Sequence, residues 1–216
     1  SVLFDDDAGR AYVLTTGNYK MVVIDTATDT VIKEIPTGIV ARDPSVHAKT
    51  HDVFVPNYES GTLTVVKGSD FSSRTIPEVP EGKYYITDAA KPLAHPGPAV
   101  VHPSRQKIYV ADLSGLLYVL DNSSFRILKT LEVGQQIRKM LIDSEQDRLY
   151  AVSDMDSTVY VVDTARDAVI ERVKLTDEPV RPNREWHVAL FRTLPNYIAL
   201  ADFHSDDVII FDKATN

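Results

Sequence analysis

The 216-residue sequence contains no cysteine. That excludes disulfides, thiolate metal centres and cysteine nucleophiles. Its nine glycines are scattered, and none forms a phosphate-cradling loop. No apolar run approaches the length of a membrane span. No block of Lys or Arg is present and the formal net charge is −8, which argues against nucleic acid or an anionic membrane as partner. No G-x-S-x-G elbow and no recognisable Ser/His/Asp order points to a nucleophile. The acidic runs 4–10 and 153–158 lack the calcium-loop spacing with a distal Glu and read as hairpin turns. The first residue is Ser1 rather than Met, so a segment is expected to have been removed.

What the sequence does have is ordinary globular composition, 44% hydrophobic and 25% charged, and enough length for a sizeable core. It also repeats itself. Residues 22–35 read VVIDTATDTVIKEI and residues 160–173 read YVVDTARDAVIERV, sharing V-x-D-T-A-x-D-x-V-I. An aromatic in a β-type run, followed after a turn by two hydrophobics and an Asp, recurs five times, with Lys in place of the Asp in the second unit. The units run Tyr12 to Asp25, Phe54 to Lys67, Tyr109 to Asp121, Tyr150 to Asp163 and Tyr197 to Asp212. Their closing residues are 42, 54, 42 and 49 apart. A period near 42 is the size of a four-stranded propeller blade.

Each unit parses into short strands rich in Val, Ile, Tyr and Thr, with no sustained helical period. The expected fold is therefore all-β, a β-propeller of four-stranded antiparallel blades. About five blade units fall at 1–38, 39–92, 93–134, 135–178 and 179–216, the last incomplete. Residues 1–216 read as one propeller domain or as an arc of a larger one. The Asp closing each third strand is expected to cap the next turn through its side chain.

Residues 148–175 and 10–38 resemble the YVTN-type β-propeller repeat of surface-layer-like and exported bacterial and archaeal proteins; residues 107–134 fit nearly as well. The resemblance implies a periplasmic or extracellular protein. It says little of activity, because propellers host unrelated functions. The second unit departs from the pattern through a Pro-rich insertion at 69–98, and the fifth stops early. An incomplete ring leads to the expectation of an oligomer, or of a partner segment that completes it.

Two registers carry the candidate site residues. Twelve positions before the aromatic lie Arg42 and Arg138, expected in the loops that lead into innermost strands. Arg184, Trp186 and His95 are candidates nearby. Guanidinium forks around a channel mouth would bind a small anion or an acidic partner protein. The plainer reading pairs each Arg with an Asp of a neighbouring blade. Seven positions before the aromatic lie Asp5, His47, His102 and Asp143. Converging, His47 and His102 would be metal ligands; otherwise these residues cap the first hairpin of each blade. The leading function is non-enzymatic binding of a ligand or protein through the mouth loops, with no cofactor identified. The alternative is a cofactor-dependent, nitrite-reductase-like oxidoreductase domain, with haem or a metal at the channel.

Overall fold

The computed structural model describes residues 1–15, 17–76, 93, 95–175, 196–202 and 207–213. Among these there is no helix. Blade 1 is β1 (Val2–Asp5), β2 (Arg10–Thr15), β3 (Lys20–Asp25) and β4 (Thr30–Pro36). Blade 2 is β5 (Ser45–Val46), β6 (Val53–Asn57), β7 (Thr62–Val66) and β8 (Ser73–Ile76). Blade 3 is β9 (Pro96–Val101), β10 (Lys107–Asp112), β11 (Leu116–Asp121) and β12 (Ile127–Glu132). Blade 4 is β13 (Ile137–Asp143), β14 (Arg148–Ser153), β15 (Thr158–Asp163) and β16 (Ala168–Lys174). Blade 5 contributes β17 (Tyr197–Asp202) and β18 (Asp207–Asp212). Each sheet is an antiparallel meander. The first strands β1, β5, β9 and β13 neighbour one another in turn, so they lie innermost and line the channel.

Strand side chains alternate between two faces, and here each face meets a different blade. Leu149 and Ala151 of β14 pack with Tyr109, Leu117 and Val119 of blade 3. Tyr150 and Val152 of the same strand pack with Ile198, Leu200 and Phe211 of blade 5. Phe54 and Leu63 join Ile108 and Val110 between blades 2 and 3, and Tyr12 and Met21 join Val53 and Val55 between blades 1 and 2. The core is thus a series of inter-blade layers. Burying a side chain such as Phe54 or Leu63 contributes roughly 1.5–3 kcal/mol, which no blade obtains alone.

The closing Asp residues cap their turns. Asp25 Oδ1 accepts the Ala27 and Thr28 amides, both at 2.9 Å. Asp121 and Asp163 accept the amides two and three residues on in the same way. These amides and the adjacent hydroxyls hold the Asp25 and Asp121 carboxyls below the ordinary carboxylate range. Four residues after each closing position the backbone turns left-handed, at Asp29, Phe71, Phe125 and Asp167. That conformation disfavours a bulky residue, and both Phe rings lie under a guanidinium: Arg10 at 4.7 Å from Phe71, Arg74 at 4.0 Å from Phe125.

The crossing loops press against the ends of the second strands. A Cβ at Gly38 would lie 2.6 Å from the Asn57 side chain, and one at Gly134 would overlap Ser153. Asn57 Oδ1 accepts the Gly38 amide at 2.9 Å, and Ser153 Oγ donates to the Gln135 carbonyl at 2.8 Å.

The structure corrects one alignment. β17 pairs Tyr197 directly with Asp212, as Arg148 pairs with Asp163. The place of the aromatic in blade 5 therefore belongs to Ala199, and Tyr197 falls two residues early. The outer faces of the two terminal sheets are also open. Val2 and Phe4 of blade 1 and Val208 and Ile210 of blade 5 are more than half exposed.

Candidate functional site at the channel mouth

One end of the blades collects the starts of the first strands and the ends of the second. Arg138 lies here inside β13, not in the loop before it. The β13–β14 register slips between Ile137 and Lys139, which puts Arg138 at a bulge that re-aims its side chain. Its Nε donates to Asp154 Oδ2 at 2.9 Å. Asp154 follows β14 in the same blade and is 2% exposed. The carboxylate partner is thus intra-blade, where the sequence suggested a neighbouring blade.

Arg42 occupies the matching place in blade 2. Ala41 bridges Asn57 as Ile137 pairs with Ser153, and the Arg42 amide donates to the Pro56 carbonyl at 3.0 Å. The counterpart of Asp154 is now Tyr58. The Arg42 guanidinium therefore stacks on an aromatic ring, 3.9 Å from the Tyr58 centroid. Its Nε is buried without a hydrogen bond. On the blade 3 side Tyr58 meets the His95 ring at 4.8 Å, directly before β9. An ion pair of 3.6 Å from Asp43 to Lys139 joins the mouth of blade 2 to blade 4. Arg42 and His95 are brought together through Tyr58, a residue the sequence reading did not single out. Aligning unit 2 on unit 4 would have set Tyr58 against Asp154. Arg184 and Trp186 lie outside the described residues.

The second register occupies the opposite end of the blades, where its members cap turns. His47 Nδ1 accepts the Lys49 and Thr50 amides at 3.3 and 3.2 Å, and His102 Nδ1 accepts the Ser104 amide at 3.3 Å. Asp143 Oδ1 accepts the Glu145 and Gln146 amides, and Asp5 Oδ1 the Ala8 amide. Imidazole Nδ1 and carboxylate Oδ1 stand the same number of bonds from Cα, so His and Asp perform one capping task. A nitrogen that accepts an amide has no lone pair left for a metal. Among the described residues no group of three or more His, Asp or Glu side chains converges as a metal centre requires.

These caps predict a pH dependence. The hydrogen-bond partners assign both imidazoles as the neutral Nε2–H tautomer. Burial pushes both below the ordinary value of 6.5; Asp52 opposes this at His47, where Lys49 and His51 assist. Arg105 and Lys107 assist at His102, against Asp147 and Asp167. The unfolded chain therefore takes up protons first. The contribution is complete above about pH 6.5 and is lost as pH falls from there toward the folded-state values. Urea midpoints measured from pH 7.5 to 5 should fall, and the fall should be smaller in the double variant His47→Asn, His102→Asn. An unchanged slope would show that other groups govern it.

No family model and no curated protein matches the sequence. Solved structures do. The chain is similar to Kuenenia stuttgartiensis hydrazine synthase, with a TM-score of 0.68 and 14% identity over 98% of this chain and 65% of that one. It is also similar to the β-propeller domain of Cps50 (Swd1) from Myceliophteria thermophila, with a TM-score of 0.72 and 14% identity over 99% of this chain and 70% of that one. The chain is a β-propeller by this likeness. It spans about two thirds of the first neighbour's length. Among the described residues no helix is long and apolar enough to cross a membrane.

Proposed function

We propose that the chain is a non-enzymatic binding propeller that holds an anionic group, on a protein or a small molecule, at the channel mouth beside Arg42. The observation that carries this reading is the exchange of Asp154 in blade 4 for Tyr58 in blade 2. It keeps a guanidinium in place by stacking and, among the described residues, leaves its charge without the carboxylate that Arg138 has. Arg presents a planar fork that suits carboxylate and phosphate, and stacking preorganises it. The likeness to the YVTN repeat supports a periplasmic or extracellular location. The open terminal faces support completion of the ring by further blades, which solution mass would test.

The test is titration with a tetraglutamate peptide. Arg42→Ala should weaken binding at least tenfold, and so should Tyr58→Asp, which rebuilds the blade 4 ion pair. Arg138→Ala, whose charge is already matched, should change binding less than threefold. Absence of saturable binding, or equal losses at Arg42 and Arg138, would reject the reading. The similarity to a hydrazine synthase keeps the cofactor-carrying oxidoreductase as a second reading. A Soret band or stoichiometric iron or copper in natively purified protein would favour it over the first.

A further inference from the structure

At the end of the blades away from the mouth, a cation clasps blade 1 to blade 2 and blade 3 to blade 4, whereas Arg148, the counterpart in blade 4, keeps to Asp147 and Asp163 of its own blade. Arg10, the first residue of β2, donates from Nη1 to the Gly68 carbonyl of blade 2 at 2.8 Å. Lys107, the first residue of β10, donates to the Thr164 carbonyl of blade 4 at 3.0 Å and to Asp167 at 2.7 Å. The two are equivalent, because they stand opposite Asp25 and Asp121. A second link lies beside each clasp. Asp5 meets His51 at 2.9 Å between blades 1 and 2, and His102 faces Asp147 at 3.8 Å between blades 3 and 4.

Between blades 2 and 3 both devices are missing. The clasp position, one residue before the Val53–Val66 pair, is Asp52. Its oxygens turn back into its own blade, to Lys67 Nζ at 2.8 Å and the Gly68 amide at 2.9 Å. Gln106 stands where His51 and Asp147 stand. Phe125, the counterpart of Phe71, is covered by Arg74 reaching in from the outer strand β8. The space a clasp would fill is a cavity of about 530 Å³, lined by Asp52, Lys67, Arg74, Asn122 and Phe125 among others.

Blades 4 and 5 also lack the clasp, but Lys213 of blade 5 reaches Asp143 of blade 4 at 2.6 Å. Among the described residues the interface of blades 2 and 3 is the one with no such link at this end, and a repeat that omits its links at one interface, and leaves a cavity there, fits a functional exception. We propose that this cavity is a second ligand site, separate from the channel mouth, and that it takes a small hydroxylated acid. One carboxylate or phosphate lies on Arg74. Its hydroxyls meet Thr50, Gln106, Asn122 and Ser123, which also line the cavity. The volume is that of a small-molecule pocket. The charge balance favours an anion: Asp52 is neutralised by Lys67, whereas among the described residues Arg74 is held by the Phe125 ring alone.

Calorimetric titration with gluconate and with glucose 6-phosphate, and with glucose as the neutral control, tests the proposal. At least one acid should bind saturably and glucose should not; which acid binds identifies carboxylate or phosphate as the recognised group. Arg74→Ala, an exposed position, should weaken binding at least tenfold. Asp52→Arg, which fills the cavity with a second cation, should abolish binding. Arg42→Ala should leave binding unchanged, separating this site from the mouth. No saturable binding of either acid, or binding that survives Arg74→Ala, would overturn the proposal.

Discussion

Asp167→Ala is expected to lower the unfolding free energy by about 3–5 kcal/mol, the usual cost of removing one partner from a buried ion pair. Asp167 receives the Tyr109 hydroxyl at 2.8 Å and Lys107 Nζ at 2.7 Å. The Lys107 and Asp167 side chains are 16% and 14% exposed, so the alanine takes the carboxylate from an ammonium and a phenol and leaves both on the Thr164 carbonyl. Burial, reinforced by the Asp167 carboxylate, holds the Tyr109 phenol far above its ordinary range, which keeps it a donor at every accessible pH. A variant that removes both charges, Lys107→Met with Asp167→Leu, should recover much of the loss, because well-packed apolar groups replace such pairs at little cost. By contrast Glu34→Ala, which breaks the exposed pair with Lys20, should change stability by at most about 0.5 kcal/mol. Urea unfolding of the four proteins decides the matter. Equal losses at Asp167 and Glu34 would mean that the inter-blade clasp is no more than a surface contact.

The blades were legible because the repeat writes local chemistry plainly. A β-branched run, an Asp and a polar turn define each third strand, and Asp25, Asp121 and Asp163 cap those turns as expected. Less legible was anything that depends on which blade faces which. The register of Asp5, His47, His102 and Asp143 was read correctly as one register, but imidazoles in that pattern suggest a metal. Only the geometry reveals that Nδ1 is already an acceptor for turn amides. Arg42 and Arg138 look alike in sequence. What separates them is a residue 16 positions on in each case, Tyr58 or Asp154, and that comparison requires the bulge to be placed first. Tyr197 misled for the opposite reason. It is aromatic and β-type, so it mimicked the repeat's anchor, while the ladder with Asp212 fixes Ala199 in that role.

Register equivalence makes a sharper prediction at two matching positions. Val161 and Ile210 each stand two residues before a closing Asp, on the face of a third strand that points to the following blade. Val161 is 1% exposed against Ile198, Leu200 and Phe211, whereas Ile210 is 59% exposed. Val161→Asp buries an unpaired carboxylate and is expected to cost more than about 4 kcal/mol, enough to unfold a domain of ordinary stability. Ile210→Asp should fall within about 0.5 kcal/mol of the parent and should reduce binding of an apolar dye such as anilinonaphthalene sulfonate. Thermal unfolding of the two variants reads both effects. If Ile210→Asp destabilises as Val161→Asp does, the outer face of blade 5 is covered in solution, and equilibrium sedimentation then separates the two ways of covering it. A monomer would mean that blade 5 closes on blade 1, bringing Ile210 and Val208 against Val2 and Phe4. A larger mass would mean that another copy of the chain supplies the next face, and the same layer chemistry that holds the blades together would then hold the assembly.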